Sequence, residues 1–277
     1  MLIRAICGIF RGNGPLSVKK TILVSSSFLA VGLIAPLLAC AELSNDTVLG
    51  PGLRSQPAYD GSATQRVELV PIVRYLGRPW FVRSTQSVLE AGVRMELASG
   101  LHVGAQLAYE PGREASESGF LNDHNVPSID AGASIGVHLE WDHKIGPMPI
   151  TLLARGRQNI DFDLGAQFDL RLSAGVFQKG PVSAGVFGQA TWANEKSTSS
   201  FYAVKPRQSG VTGLPAFSAG SGWLFGSLGL LWSVNLSRSW IMVGSMETRH
   251  LQGDALHSPL TERSVNYYAS AGLVYRF

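Results

Sequence analysis

The chain has 277 residues, of which 16% are charged and 45% hydrophobic, and a formal net charge of +3. The positive excess sits in residues 1–41, where Arg4, Arg11, Lys19 and Lys20 meet no acid; the rest holds 19 Lys and Arg against 20 Asp and Glu, a net of −1. A chain this close to neutral has no basic excess to attract nucleic acid, and its length fits one large β domain or two ordinary ones.

In chain order, residues 1–41 read as a secretory signal. A basic stretch ends at Lys19-Lys20, the apolar run "TILVSSSFLAVGLIAPLLA" follows, and Ala39-Cys40-Ala41 supplies an A-x-A cleavage site. Thr21 to Ala41 is also about long enough to span a bilayer as a helix. "LLAC" loosely resembles a lipoprotein box on Cys40, although Leu38 fits that box poorly. Cleavage after Ala41 removes both cysteines, Cys7 and Cys40, so the domain 42–277 must be stable without disulfides.

Beyond residue 46 the hydrophobic period is two, the period of a strand with different surroundings on its two faces. Ile129, Ala131, Ala133, Ile135, Val137, Leu139 and Trp141 alternate with Asp130, Gly132, Ser134, Gly136, His138, Glu140 and Asp142. Phe168, Leu170, Leu172, Ala174 and Val176 alternate with Gln167, Asp169, Arg171, Ser173 and Gly175. The pattern predicts twelve strands, over 47–55, 66–75, 79–84, 88–97, 101–110, 129–141, 148–157, 162–176, 182–193, 222–234, 238–250 and 265–277. Several exceed the roughly 5–6 residues usual in soluble sheets and match the 9–11 needed to cross a bilayer at a tilt. Tight connections alternate with mostly longer ones, as in outer-membrane barrels, whose turns are short on the periplasmic side and long outside. An even strand number then puts both mature termini in the periplasm.

A soluble barrel or sandwich also alternates, with its apolar face turned inward. Three features favour the membrane. The polar faces carry both charge signs together with Gly and Ser, which suits a narrow polar lumen. Tyr109, Trp141, Trp192, Trp240 and Phe277 fall near strand ends, where an interfacial girdle lies. The last strand, "SVNYYASAGLVYRF", alternates up to the terminal residue, as a closing strand with fully paired backbone does. The expected fold is a transmembrane antiparallel up-and-down β-barrel of about twelve strands.

Six segments, in order, resemble the MipA/OmpV family of outer-membrane proteins from about residue 48 to the end. "GPGLRSQPAYDGS" carries Pro57, Tyr59, Gly61 and Ser62; "VPIVRY" resembles the family's second strand; "YEPGR" places Arg113 in a Gly-Arg pair. Phe201–Gly222 is similar to a Tyr-Phe-Gly-Val…Gly-Leu-Pro stretch, with Ala203 and Phe217 as departures. "LQGDALHSPL" contributes Gly253, Asp254, Ser258 and Pro259, with His257 at a position often acidic, and "AGLVYRF" resembles the closing strand. The resemblance implies that Tyr275 and Phe277 act as an insertion label for the barrel-assembly machinery. It also implies a scaffold role, linking a murein-degrading lytic transglycosylase to a penicillin-binding murein synthase.

Asp254, His257 and Ser258 contain the types of a nucleophilic triad, but they sit in one loop, whereas triads gather from separate elements. The six histidines show no metal-type spacing, and His102 and His138 on polar strand faces read as hydrogen-bonded lumen residues. No catalytic residue, metal or cofactor is expected. The candidate lumen network is Glu90, Arg94, Glu96, Asp130, Glu140, Arg155, Arg171, Glu247 and Arg249, with Glu110, Arg157, Asp163, Asp169 and Arg276 on the same side. These charges either pair across the lumen and close it or line a thin pore, and opposite charges in a confined space usually pair. The functions to separate are therefore a scaffold for murein enzymes, a small-solute channel, and a surface adhesin or sensor acting through 111–128 and 194–221.

Overall fold

The computed structural model describes residues 46–85 and 88–277. The proposed signal, 1–41, lies outside them. Twelve strands follow one another: β1 (Val48–Pro57), β2 (Gln65–Leu76), β3 (Trp80–Thr85), β4 (Val88–Ala98), β5 (Leu101–Glu110), β6 (Gly132–Ile145), β7 (Met148–Asn159), β8 (Ala166–Lys179), β9 (Val182–Ala193), β10 (Gly222–Asn235), β11 (Trp240–Leu251) and β12 (Val265–Arg276). Each pairs with its neighbour in sequence, and β1 pairs antiparallel with β12, which closes the sheet. At that seam Val48 faces Arg276 and Ser55 faces Ala269. Closure leaves no edge, so every strand satisfies its backbone within the sheet, the condition for crossing hydrocarbon. No helix among the described residues is long and apolar enough to cross a membrane.

The apolar face of each strand points outward. Leu53 on β1, Val137 on β6, Leu172 on β8 and Leu228 on β10 are all exposed, while Arg54, His138, Arg171 and Ser227 beside them are buried. A soluble barrel would show the reverse. Leu69, near the middle of β2, is 74% exposed. Leu69→Arg should destabilise the folded barrel by roughly 2–4 kcal/mol, because a charge there meets lipid. Urea titration in lipid vesicles reads the loss, and an unchanged midpoint would place that face in water.

Aromatic side chains ring both ends of this belt. At the loop end Trp192 on β9 lies between its cross-strand partners, Phe168 on β8 and Trp223 on β10. At the turn end Trp240 meets Tyr275 edge-on at 5.3 Å, and Tyr275 meets Phe277 at 5.0 Å. The terminal residue thus belongs to an interfacial girdle, where amphipathic rings are favoured.

Two strands begin three or more residues later than their alternation implies. β6 starts at Gly132 because Ile129 pairs with Arg113 in an isolated bridge, turning the chain into the loop region. β8 starts at Ala166 because Phe162–Leu164 form a 3-10 turn, opened by the Asp161 side chain accepting from Asp163 N–H. The long connections carry four short helices: α1 (Gly119–Asp123), α2 (Glu195–Tyr202), α3 (Pro206–Thr212) and α4 (Gly253–His257). Asn194 caps α2 by accepting from Ser197 N–H.

Candidate functional site

The inward face is a ladder of charges that bridges strands not adjacent in the sheet. Arg155 on β7 donates from Nε and Nη2 to Asp169 on β8, at 2.9 and 2.7 Å. Its Nη1 reaches Glu90 on β4 at 3.1 Å, two strands beyond its nearest neighbour. Arg83 on β3 donates to Glu90 and to Glu140 on β6. Arg157 on β7 donates to Glu110 on β5 and lies 3.2 Å from Asp169, which also accepts from Thr191 Oγ1 at 2.9 Å. Arg94 stands 3.7 Å from Glu140. Glu90 has no exposed surface, and Arg155 and Asp169 have almost none. Charges so thoroughly desolvated must be paired.

Inward aromatics underlie the guanidinium groups. Arg171 lies over Phe187 at 3.8 Å, Arg83 over Phe81 at 5.3 Å, and Arg249 over Phe225 and Tyr268 at 4.1 and 4.3 Å. Such rings hold a planar cation in place and fill volume water would otherwise occupy. At the turn end, beside the β1–β12 seam, the interior is apolar: Val48, Ile241 and Val274 pack together with Ile72 and Val243.

At the loop end the long connections fold onto one another as a cap. One apolar cluster joins Tyr202 of α2, Ala219, and Ala255 of α4 to Phe225 and Leu251 of the wall. A second joins Ala58, Tyr59, Leu121, Val126, Val204 and Leu260. Residues some two hundred positions apart meet here. Tyr59 hydroxyl donates to the Leu260 carbonyl at 2.8 Å. Gly61 N–H donates to Asn266 Oδ1 at 2.7 Å, and Asn266 Nδ2 donates to the Ser62 carbonyl at 3.0 Å. Gly61 sits at φ +104°, a conformation side-chain-bearing residues rarely adopt. Ser258 Oγ donates to the Tyr202 carbonyl at 2.6 Å, and Asp254 accepts from Gly220 N–H at 2.7 Å. Burial, reinforced by the Glu262 carboxylate, raises the Tyr59 phenol well above its usual range, and burial likewise raises Tyr202. Both therefore remain neutral hydrogen-bond donors.

Asp60 is the hinge pin of the cap. Its carboxylate takes Arg249 Nη1 at 2.8 and 3.1 Å and the Tyr268 hydroxyl, and its carbonyl accepts from Tyr202 at 3.3 Å. Arg249 is further held by Glu247 at 3.2 Å.

Most of the expected residues come together, in two groups. Glu90, Arg94, Glu140, Arg155, Arg171, Glu247 and Arg249 line the interior. Pro57, Tyr59, Gly61, Ser62, Arg113, Gly253, Asp254, Ser258 and Pro259, scattered along the sequence, lie at or within the cap. Arg113 is buried there, donates to the Phe201 carbonyl, and has its charged form disfavoured by burial. Asp130 and Glu96 do not join the lumen network. Asp130 precedes β6 and is exposed on the loop side. Glu96 sits at an irregularity in the β4–β5 pairing, where it salt-bridges Arg78 at 2.6 Å and accepts from Gly100 N–H. Asp163 likewise lies in the 3-10 turn, exposed, 3.2 Å from Lys196. Arg276 pairs with Asp46 at the turn end. Asp254, His257 and Ser258 are not assembled as a triad: each spends its polar atoms on nearby backbone, His257 Nδ1 on the Gly253 carbonyl at 2.8 Å.

Arg83 and Asp60 were not singled out from the sequence. Arg83 shares its face with Phe81, so that short strand shows no polar side. Asp60 carried a signal, since it lies between the motif residues Tyr59 and Gly61.

A closed twelve-stranded sheet with lipid-type side chains outside and paired charges inside defines a bacterial outer-membrane β-barrel. The chain belongs to the family of the MltA-interacting protein MipA, whose family model matches residues 49–277. Among solved structures it is similar to an outer-membrane channel from Pseudomonas putida F1, with 11% identity and a TM-score of 0.50 over 88% of this chain and all of that one. It is also similar to the NanC porin, with 10% identity and a TM-score of 0.46 over 83% of this chain and all of that one. The translocator domain of the autotransporter NalP from Neisseria meningitidis gives 9% identity and a TM-score of 0.43, over 85% and 90% of the two chains. At such identities the likeness is one of fold. A search of curated proteins gave no match.

Proposed function

We propose that this barrel is a sealed envelope scaffold without enzymatic activity, which holds murein enzymes at the inner surface of the outer membrane. The observation that carries the proposal is the bridged and capped interior: Arg155 ties β4 to β7 and β8 across the lumen, and four loops pack over the loop end. A pore needs a continuous wet path, which paired and desolvated charges oppose. The family's description as MltA-interacting supports a murein lytic transglycosylase as one partner; a penicillin-binding synthase as the other is what the family resemblance implies. In this reading both mature termini and the short turns face the periplasm, the capped loops face outward, and Tyr275 and Phe277 address the chain to the barrel-assembly machinery. The turns offer a small docking area, so the contact is transient.

Pull-down of the tagged barrel from mild detergent should retain a lytic transglycosylase and a penicillin-binding protein, and planar-bilayer recording should be silent. Recovery of no murein enzyme with a folded barrel sinks the scaffold. Discrete conductance steps sink the sealed interior and favour a small-solute channel. One feature supports that second reading: Arg171 Nη1 is buried with no hydrogen-bond partner, a donor left over inside the wall.

A further inference from the structure

We propose that His102, Glu140 and Asp142 form a binding site for a borderline divalent cation of the Zn2+ class at the turn end of the barrel interior. His102 is the second residue of β5 and lies directly opposite Glu140 on β6. Asp142 follows two residues later on β6, on the same face. One ligand atom from each of the three lies within 4.8 Å of the other two. His102 as a residue is 8% exposed, yet its Nδ1 has no hydrogen-bond partner. Buried ring nitrogens are nearly always partnered, so this one needs an occupant.

The distances say which kind. Nδ1 is 3.8 Å from Asp142 Oδ2, too far for a hydrogen bond. Two ligands each about 2.0–2.2 Å from one zinc ion stand up to about 4.2 Å apart, so the gap admits a metal between them. Asp142 Oδ1 is already fixed by the Thr151 hydroxyl at 2.7 Å, which orients the carboxylate and directs Oδ2 to the histidine. Glu140 gives one oxygen to Arg83, and its other oxygen stands at a loose 3.7 Å from Arg94. Arg74, Arg83 and Arg94 oppose a cation and limit its affinity, but Glu90 compensates Arg83. One imidazole with two carboxylates suits Zn2+ and its transition-metal neighbours, whereas Mg2+ and Ca2+ take oxygen alone. Three protein ligands leave a further position for water, on the side where Asp142 is 38% exposed.

The test uses the processed barrel folded in detergent, stripped with EDTA and titrated with Zn2+ by calorimetry, with Co2+ absorption as the coordination probe. One saturable equivalent is expected, not displaced by millimolar Mg2+. His102→Ala and Asp142→Asn should each weaken it at least roughly tenfold. His143→Ala should leave it unchanged; that exposed neighbour stacks on Trp141 and is the obvious adventitious ligand. Asp142→Asn keeps an acceptor for Thr151, so this variant remains informative where His102→Ala fails to fold. No saturable binding, binding that survives Asp142→Asn, or binding lost in His143→Ala overturns the proposal.

Discussion

Arg155→Ala is expected to lower the stability of the folded barrel by about 3–5 kcal/mol, the effect of removing one partner from a buried ion pair. Arg155 is the group through which Glu90 of β4 and Asp169 of β8 share one positive charge. Without it Glu90 retains Arg83 and Gln106, and Asp169 retains Arg157 and Thr191, so both carboxylates stay partly satisfied. What disappears is the link across the lumen. Arg155→Met combined with Glu90→Gln should recover part of the loss, because the pair is then replaced rather than broken. Urea titration, followed by the mobility shift between folded and unfolded bands, measures each variant. A single substitution that leaves the midpoint untouched would show that water already reaches these groups.

Asp60→Ala should loosen the cap and leave the wall intact. The substitution removes the partner of Arg249 and Tyr268 and one anchor of the first loop. A hydrogen bond to a charged group contributes roughly 1.5–3 kcal/mol. Spent on the opening equilibrium, that is on the order of a tenfold to hundredfold gain in open cap. Limited tryptic cleavage at Arg207, within α3, should accelerate correspondingly while heat-modifiable mobility is retained. Equal cleavage in parent and variant would mean that the apolar clusters alone hold the loops.

Most of the fold was legible because lipid outside and charge inside impose a period of two that survives from residue 48 to the end. The outward set Phe168, Leu170, Leu172 and Val176 is the one the alternation picks out. It misled where local chemistry interrupts a strand, as at Asp161–Gly165, where a side-chain turn and a glycine at φ +71° delay β8. The site was half legible. Periodicity gives the face on which Arg155 and Glu90 lie, but not the stagger that puts them at one height, so pairs that skip two strands stay hidden. The same holds for His102. Spacing within one strand showed no ligand set, because its neighbours Glu140 and Asp142 are joined to it by cross-strand register. The cap motifs carried no periodicity, and their convergence depends on the closure of β1 onto β12.

That convergence also ties the cap to the closure of the sheet. Asp60 to Ser62 follow the first strand, and their partners Tyr268 and Asn266 belong to the last, 205 positions away in the case of Gly61 and Asn266. The lid is therefore a clasp laid over the weld between the two ends of the ribbon. A nascent chain still lacking its final hairpin has nothing to fasten, and its arginines remain wet. The clasp cannot fasten before β12 closes on β1, and a molecule cut short before residue 265 should have neither a closed sheet nor a latched cap.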